Sequence, residues 1–365
     1  MTIKEISVGE LLGFLESELY RESDVKPITA ERVHSQINNP RALPDDIVLI
    51  VAYSGDGKLA GFIGMLPDTG NSNEEFYRFA WNSCWWVDRK AEQGIALKLF
   101  YRSIQVWQGN YMITDLTQHT RKIVELTRLF NIVNPIQGYG LQIRSDFTGK
   151  LTRRKKLFRF FLPVSLIADK AVNLIMGWRL KKWDRKNTPA ALQIEYLERP
   201  DAACLDYIEK HNERELCRRG EKEFDWIISY PWLVNDVSGK PSVNYPFSHA
   251  CKNLELYITK ILYQGKMAGI ALLSIREGLF KIPYAYTGHS VAALFSCAIC
   301  KIMVDKKAMA FHSFRQEIND YIEKSGFPVF YKKKVAKGLA VSKTLAGRQP
   351  EKYYLQDGDG DVVFT

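Results

Sequence analysis

The feature that most limits what this chain can fold into is an order of elements that runs twice along its 365 residues. Residues 8–19, VGELLGFLESEL, carry apolar side chains at helical spacing, and TAERVHSQI does so again after Pro27. Two apolar runs then flank Ser54-Gly55-Asp56-Gly57, which is a hairpin signal. An aromatic run from Phe76 to Val87 follows, then a charged loop. After it comes a helix from about Gly94 that turns Ile95, Leu97, Leu99 and Phe100 inward. The short strand NYMITDL, the amphipathic helix QHTRKIVELTRLFNI and the strand QGYGLQIRSDF close the first half. In the second half, LQIEYLERPDAACLDYIEKHNEREL reads as strand then helix, and FDWIISYPWLV follows. Three apolar runs with turns at Gln264-Gly265-Lys266 and Glu277-Gly278 lead to an apolar helix, Ser290 to Val304. The strand AMAFHSF, the helix RQEINDYIEKSGF and the segment VFYKKKVAKGLAVSK finish the order. A period this long excludes a solenoid. It predicts two α+β domains of one plan, each a mostly antiparallel mixed sheet flanked by helices. The expected boundaries are 1–149, a linker over 150–190, and 191–365.

The net charge is +10, and residues 150–186 account for all of it, with twelve Lys/Arg against two Asp. Within that linker Pro163 suits the first turn of a helix. From there Ser165, Asp169 and Asn173 recur every four residues as a narrow polar stripe, and the rest of the surface is apolar. Two readings stand: a helix wedged between domains with solvated charges, or a helix lying on an anionic membrane surface. The second puts Arg153, Arg154, Lys155, Lys156, Lys181 and Lys182 on headgroups and predicts a chain peripheral to the inner face of the membrane. The basic and aromatic residues match no recognised nucleic-acid module. Asp169 and Lys170 in mid-helix make spanning costly. The N-terminal stretch lacks the basic start and apolar core of a signal peptide, and six scattered cysteines predict reduced thiols in a cytoplasm. Cys297 and Cys300 lie one turn apart in an apolar helix without further ligands, so no metal is expected.

The stretch WWVDRKAEQGIALKLF, Trp85 to Phe100, reads as a strand, a charged loop and a helix start. The first N–H groups of a helix have no intrahelical partner, and the macrodipole is positive there, so such a junction suits a phosphate. Gly94 permits close approach of a ligand, and Arg89 and Lys90 add charge.

In its surrounding order this stretch resembles the GNAT acyltransferase superfamily. That family's loop after the fourth strand has the pattern Arg/Gln-x-x-Gly-x-Gly/Ala and holds the pyrophosphate of acetyl-CoA. Ala91-Glu92-Gln93-Gly94-Ile95-Ala96 occupies the pattern here, with Ala91 at the Arg/Gln position. The resemblance implies two acyl-CoA N-acyltransferase domains in a Fem-like arrangement. It implies acetyl-CoA or another acyl-CoA as co-substrate, held by Trp86, Val87, Arg89, Lys90, Glu92, Gln93, Gly94, Ile95 and Ala96. It also implies a backbone N–H near Trp86 or Val87 that polarises the thioester carbonyl. NDYIEKSGF resembles the family's helix ending Tyr-x-x-x-Gly-Phe. Counted back from Phe327, the tyrosine position falls on Ile322, with Tyr321 beside it.

Acyl transfer needs a neutral amine close to the thioester and a group that accepts its proton. Glu74, Glu75, Asp115 and His119 are the candidate bases, and Tyr321 the candidate acid. The expected function is acyl-CoA-dependent N-acyl transfer to the amino group of a small-molecule or lipid-linked acceptor, such as an envelope or sugar precursor, in a cleft between the domains. A Fem-like transferase using aminoacyl-tRNA and a non-catalytic binding protein remain alternatives. Trp81, Trp85 and Trp86 read as core or as an aromatic wall, and Trp226, Tyr230 and Trp232 as lining the second domain. Asp88 reads as a helix cap, and His289 and His312 as structural. Cys84 reads as an inert strand thiol.

Overall fold

A strand precedes the segment whose apolar residues have helical spacing. The computed structural model describes residues 1–72, 75–152, 160–236, 243–348 and 353–364. In β1 (Thr2–Ser7) Ile6 enters the core, and the helical pattern begins only afterwards, with α1 (Leu11–Glu16), α2 (Glu18–Arg21) and α3 (Ala30–Ile37). Next come β2 (Ile47–Tyr53), β3 (Leu59–Ser72), β4 (Glu75–Val87), α4 (Ile95–Val106), β5 (Tyr111–Thr114), α5 (Gln118–Thr127) and β6 (Phe130–Gln142). The middle of the chain holds α6 (Phe147–Thr152), α7 (Leu162–Asn187), β7 (Leu192–Leu197), α8 (Ala202–His211), α9 (Glu221–Ser229), β8 (Val234–Asn235) and β9 (Ala250–Cys251). It ends with β10 (Leu254–Tyr263), β11 (Lys266–Arg276), β12 (Leu279–Tyr286), α10 (Ala292–Asp305), β13 (Ala310–Ser313), α11 (Gln316–Lys324) and β14 (Tyr331–Ser342). The hairpins form where turn chemistry placed them. Gly57 has φ +82°, and the pairs Gln264-Gly265 and Glu277-Gly278 have φ of +51°/+73° and +49°/+82°. Positive φ at both central residues fits the right-handed twist of the flanking strands.

Two compact units result, and neither is a continuous half of the chain. The first comprises Met1–Pro135, Arg199–Leu254 and Lys337–Thr365; the second comprises Ile136–Glu198 and Glu255–Ala336. The expected boundaries at 149 and 190 therefore both fall inside the second unit. In the first unit the strand order is β1-β2-β3-β4-β5 followed by the end of β14. Its pairs are antiparallel except β4–β5. In the second, the end of β6 is followed by β13, β12, β11, β10 and β7, and the parallel pair is β12–β13. Each unit thus repeats one plan, but its last strand comes from the other half of the sequence. Strand pairing is non-local, and the edge of β5 accepts Leu339–Val341 of β14 as readily as it would accept the next strand along the chain.

The core of the first unit lies on both faces of β2–β4. Leu99, Phe100 and Ile104 of α4 pack with Ile50 and Ile63 on one face, and Phe14 and Val33 pack with Val48 and Phe62 on the other. Leu97 is 44% exposed and lies outside that core. The core of the second unit centres on α10, whose Cys297 and Cys300 are buried free thiols. Among the described residues no His/Cys/Asp/Glu group could hold a metal ion, and no helix is long and apolar enough to cross a membrane.

Candidate active site

Strand β4 carries a bulge and then leaves its neighbour. Its register on β3 shifts between Ile63 and Gly64, so Cys84 has no partner of its own and sits at φ +41°. On the other edge β4 pairs with β5 only through Ala80 and Trp81. Beyond Trp81 the two parallel strands part. The Asp88 N–H donates to the Ala60 carbonyl at 2.9 Å on the β3 side. Strand alternation then directs Trp86 N–H to β3 as well, and turns the N–H groups of Trp85 and Val87 to the open edge. A cleft of about 630 Å³ fills the gap. Asn82, Cys84, Trp85 and Val87 form one wall, and Ile113, Thr114 and Asp115 the other; Ala96 of α4 and Thr120 of α5 also line it.

Its floor is a polar cluster drawn from four separate parts of the sequence. Arg32 of α3 is 4% exposed. It donates to Tyr245 Oη at 2.7 Å, to Ser83 Oγ at 2.6 Å, and to Cys84 Sγ. Its guanidinium lies 3.7 Å from the centroid of the Trp232 ring. Ser83 Oγ passes its own hydrogen to Asp361 Oδ2 at 2.8 Å, and Asp361 lines the cleft. Burial pushes the Asp361 carboxyl above its ordinary range, and Arg32 and the Ser83 hydroxyl only partly oppose this. Burial likewise pushes the Cys84 thiol up despite Arg32, so it is protonated and a poor nucleophile. Tyr245 Oη donates to the same sulfur at 3.2 Å.

The segment carrying Asp361 is firmly held. Phe364 stacks on Trp232 at 4.5 Å between centroids and meets Trp226 edge-on at 5.0 Å. Gly360, at φ +79°, passes so close to β5 that a Cβ would lie 2.8 Å from Thr114 Oγ1. Upstream, Arg219 grips Asp68 through both oxygens, at 3.0 and 2.7 Å, and reaches Asp359 at 3.3 Å. Arg41 binds Asp68 and Glu223, and Trp81 Nε1 donates to Asp68 at 2.8 Å. Burial alone would raise the Asp68 carboxyl, but the two guanidinium groups outweigh it and hold it well below the usual range.

The glycine loop stands at the mouth of the cleft. Gly94 is the N-cap of α4, at φ +93°, and nothing lies within 4 Å of where its Cβ would be. The N–H of Ile95 reaches Glu92 O at 3.5 Å and that of Lys98 reaches Gly94 O at 2.9 Å. Those of Gly94, Ala96 and Leu97 find no partner among the described residues. Arg89, Lys90, Glu92 and Gln93 are exposed, and Glu92 faces Lys98 at 3.9 Å. An open backbone cradle with unspent donors and two free cations fits a pyrophosphate.

Of the expected site residues, Val87, Ala96 and Asp115 line the cleft. Ile95 is buried in the α4 core, and Trp86 packs on Phe62 at 5.6 Å, on the face away from Trp85. Trp85 stacks on Phe100 at 5.0 Å, and Trp81 is fully buried. Glu75 is exposed at the opposite end of β4, paired in register with Ser72. Tyr321 belongs to the second unit and packs edge-on against Trp183 at 6.4 Å, while Ile322 is in that unit's core. Asp88 caps the turn before α4 by accepting from Lys90 N–H at 2.9 Å, and the helix itself starts at Gly94. Trp226, Tyr230 and Trp232 belong to the first unit, and not to the second as expected, and Trp232 lies against Arg32. His312 is held below its usual range by burial and by Lys281 and Lys333. Glu74, Arg153, Arg154, Lys155 and Lys156 lie outside the described residues, as does the His119 side chain. Sequence reasoning passed over Arg32, Ser83, Tyr245 and Asp361. The available signals were an arginine on the buried face of TAERVHSQI and an aspartate in the run DGDGDVVF.

No protein-family model and no curated protein sequence matches the chain. Its structural neighbours include GCN5-related N-acetyltransferases. One from Kribbella flavida has TM-score 0.49 and 10% identity, over 93% of this chain and 71% of that one. Another, from Anabaena variabilis, has TM-score 0.45 and 11% identity, over 93% and 72%. Saccharomyces cerevisiae N-myristoyltransferase with bound myristoyl-CoA has TM-score 0.47 and 12% identity, over 93% and 78%. Likenesses this distant carry no activity across to this chain.

Proposed function

We propose that the first unit transfers an acyl group from acyl-CoA to an amine in the β4–β5 cleft. The observation that carries this reading is the parting of β4 from β5 with a half-buried carboxylate, Asp361, at the floor and a glycine-capped helix start at the mouth. Acyl-CoA supplies the activated thioester. The cradle at Gly94, Ala96 and Leu97, with Arg89 and Lys90, would hold its pyrophosphate, and Lys98 offsets Glu92. Val87 N–H would donate to the thioester carbonyl, where negative charge develops. Asp361 would take the proton from the attacking amine. Its raised pKa makes it a stronger base than an ordinary carboxylate. Arg32 and Ser83 orient that carboxylate and keep its ionised form accessible. As the new C–N bond forms, the C–S bond breaks and the thiolate takes its proton from solvent. No tyrosine is among the residues described as lining the cleft. That absence favours a second reading, acyl-CoA binding without turnover.

Thermal-shift titration with acetyl-CoA, longer acyl-CoA and free CoA tests the binding. A rise in melting temperature that Gly94→Glu abolishes is expected. If no CoA species shifts the wild type, or if Gly94→Glu shifts equally, CoA is not held at this loop. Release of free thiol from acyl-CoA in the presence of amines separates transfer from binding alone.

A further inference from the structure

Helix α7 is built inside out. Its polar stripe faces the protein: Asp169 accepts from Ser145 Oγ at 2.5 Å, Phe147 N–H at 2.8 Å and Thr148 N–H at 2.9 Å. Asn173 accepts from Ser145 N–H at 2.7 Å and donates to Ser145 O at 3.0 Å, and Ser165 shares a hydrogen with Thr148 Oγ1. Those donors overcome burial and hold the Asp169 carboxyl at about 2, so the stripe is committed inward. Further along, Met176, Leu180 and Trp183 continue that inward face into the core. The opposite face is apolar and bare. Val164, Ile167, Leu174, Ile175 and Trp178 recur at helical spacing and are 66%, 70%, 77%, 60% and 63% exposed. Phe160, just before the helix, is 86% exposed. A row of this length is far beyond the scattered apolar residues of an ordinary surface, and calls for a partner.

The charge around the row says which partner. Lys170, Arg179, Lys181, Lys182, Arg185 and Lys186 are all exposed along the same helix, and Lys182 Nζ lies 5.4 Å from the Trp178 ring. The two acidic residues of the helix, Asp169 and Asp184, are both engaged, Asp184 with Thr188 and Lys301. An apolar ridge edged by cations, with a tryptophan at its end, matches the boundary between acyl chains and anionic headgroups of a bilayer. Its exposed apolar residues lie along one side of the helix, which suits shallow insertion with the helix axis in the plane of the surface, and not spanning.

We infer that α7 is a monotopic membrane-docking helix, seated on an anionic lipid surface through Val164, Ile167, Leu174, Ile175 and Trp178. This stands independently of the acyl-transfer reading. Flotation with phosphatidylcholine vesicles, with and without phosphatidylserine, tests it on the full chain. Binding is expected with phosphatidylserine and to weaken with added salt. Ile167→Glu with Leu174→Glu should weaken it about tenfold or more, since both the burial and the charge match are lost. Lys181→Gln and Lys182→Gln should each weaken it about fivefold. Because the altered side chains face water, the melting temperature should not move. Absence of binding to phosphatidylserine vesicles, or binding unchanged by the Ile167/Leu174 pair, would overturn the inference. So would sedimentation showing a dimer that this pair dissociates in a chain that ignores vesicles, since the face would then cover a second copy.

Discussion

The β4–β5 pair of the first unit and the β12–β13 pair of the second hold the same place in one strand plan, yet the space where the parallel strands part is used differently. In the first unit it is a cleft with a carboxylate at its floor. In the second, Arg315 fills it: at 7% exposure, its guanidinium donates to the Ala285 carbonyl at 2.7 Å and to Glu317 at 2.6 Å. Phe295 presses so close to β11 that a Cβ on Gly269 would lie 2.3 Å from its ring. The helix starts differ too. Gly94 stands in the left-handed region with open space before it, whereas Gly288 is extended, at φ −78°, and leads into a single 3-10 turn, His289–Val291. A shared backbone plan therefore does not imply a shared site; a few side chains decide whether the gap is a pocket or a packed joint.

The comparison breaks if the gap in the first unit does no chemistry. Asp361→Asn should lower the transfer rate by about 10²–10⁴-fold while leaving acyl-CoA binding intact. In the wild type, kcat/KM should rise with pH through the Asp361 pKa, which lies above the ordinary carboxylate range, because only the ionised form accepts a proton. That limb should vanish in the variant.

Next in size is the Asp68 network that holds the Asp361 segment. Arg219→Ala leaves a buried carboxylate short of its bidentate partner and should cost about 3–5 kcal/mol, measured by denaturant unfolding. The folded-state pKa of Asp68 is depressed, so its contribution is full above the unfolded carboxylate pKa. It is lost only as pH falls through the lower folded value, so acid unfolding should begin at higher pH in the variant.

A smaller effect is expected on the other side of the comparison. Arg315→Ala should cost about 1–3 kcal/mol, for the buried hydrogen bonds to Ala285 and Glu317 that it removes, and leave transfer activity unchanged. Activity falling with Arg315 would mean that the second unit takes part in the chemistry. Smallest of all, breaking the exposed Arg121–Glu125 pair of α5 should move stability by no more than about 0.5 kcal/mol, although that helix borders the cleft.

Much of this arrangement was legible in local sequence. The glycine turns, the helix start at Gly94 and the stripe Ser165-Asp169-Asn173 each obey rules that span a few residues. What escaped was non-local. β6 begins in the first unit and ends in the second, and β14 does the reverse, because an open strand edge carries no record of which distant strand will pair with it. Arg32, Ser83 and Asp361 meet only once the chain has folded. Each alone looks ordinary: an arginine in an amphipathic helix, a serine in an aromatic strand, an aspartate in a glycine-rich run. Leu97 was placed inward for a local reason, since the helical spacing of apolar residues was extended one position too far.

The most direct test of the difference between the two junctions is calorimetric titration of acetyl-CoA, or a longer acyl-CoA, into the wild type, Gly94→Glu and Gly288→Glu. The wild type should show one saturable site per chain, and Gly288→Glu should keep it. Gly94→Glu should lose it, because φ +93° strains any side chain by roughly 1–2 kcal/mol and the carboxylate repels the pyrophosphate. No binding to the wild type, or a site that survives Gly94→Glu and disappears with Gly288→Glu, would contradict the account.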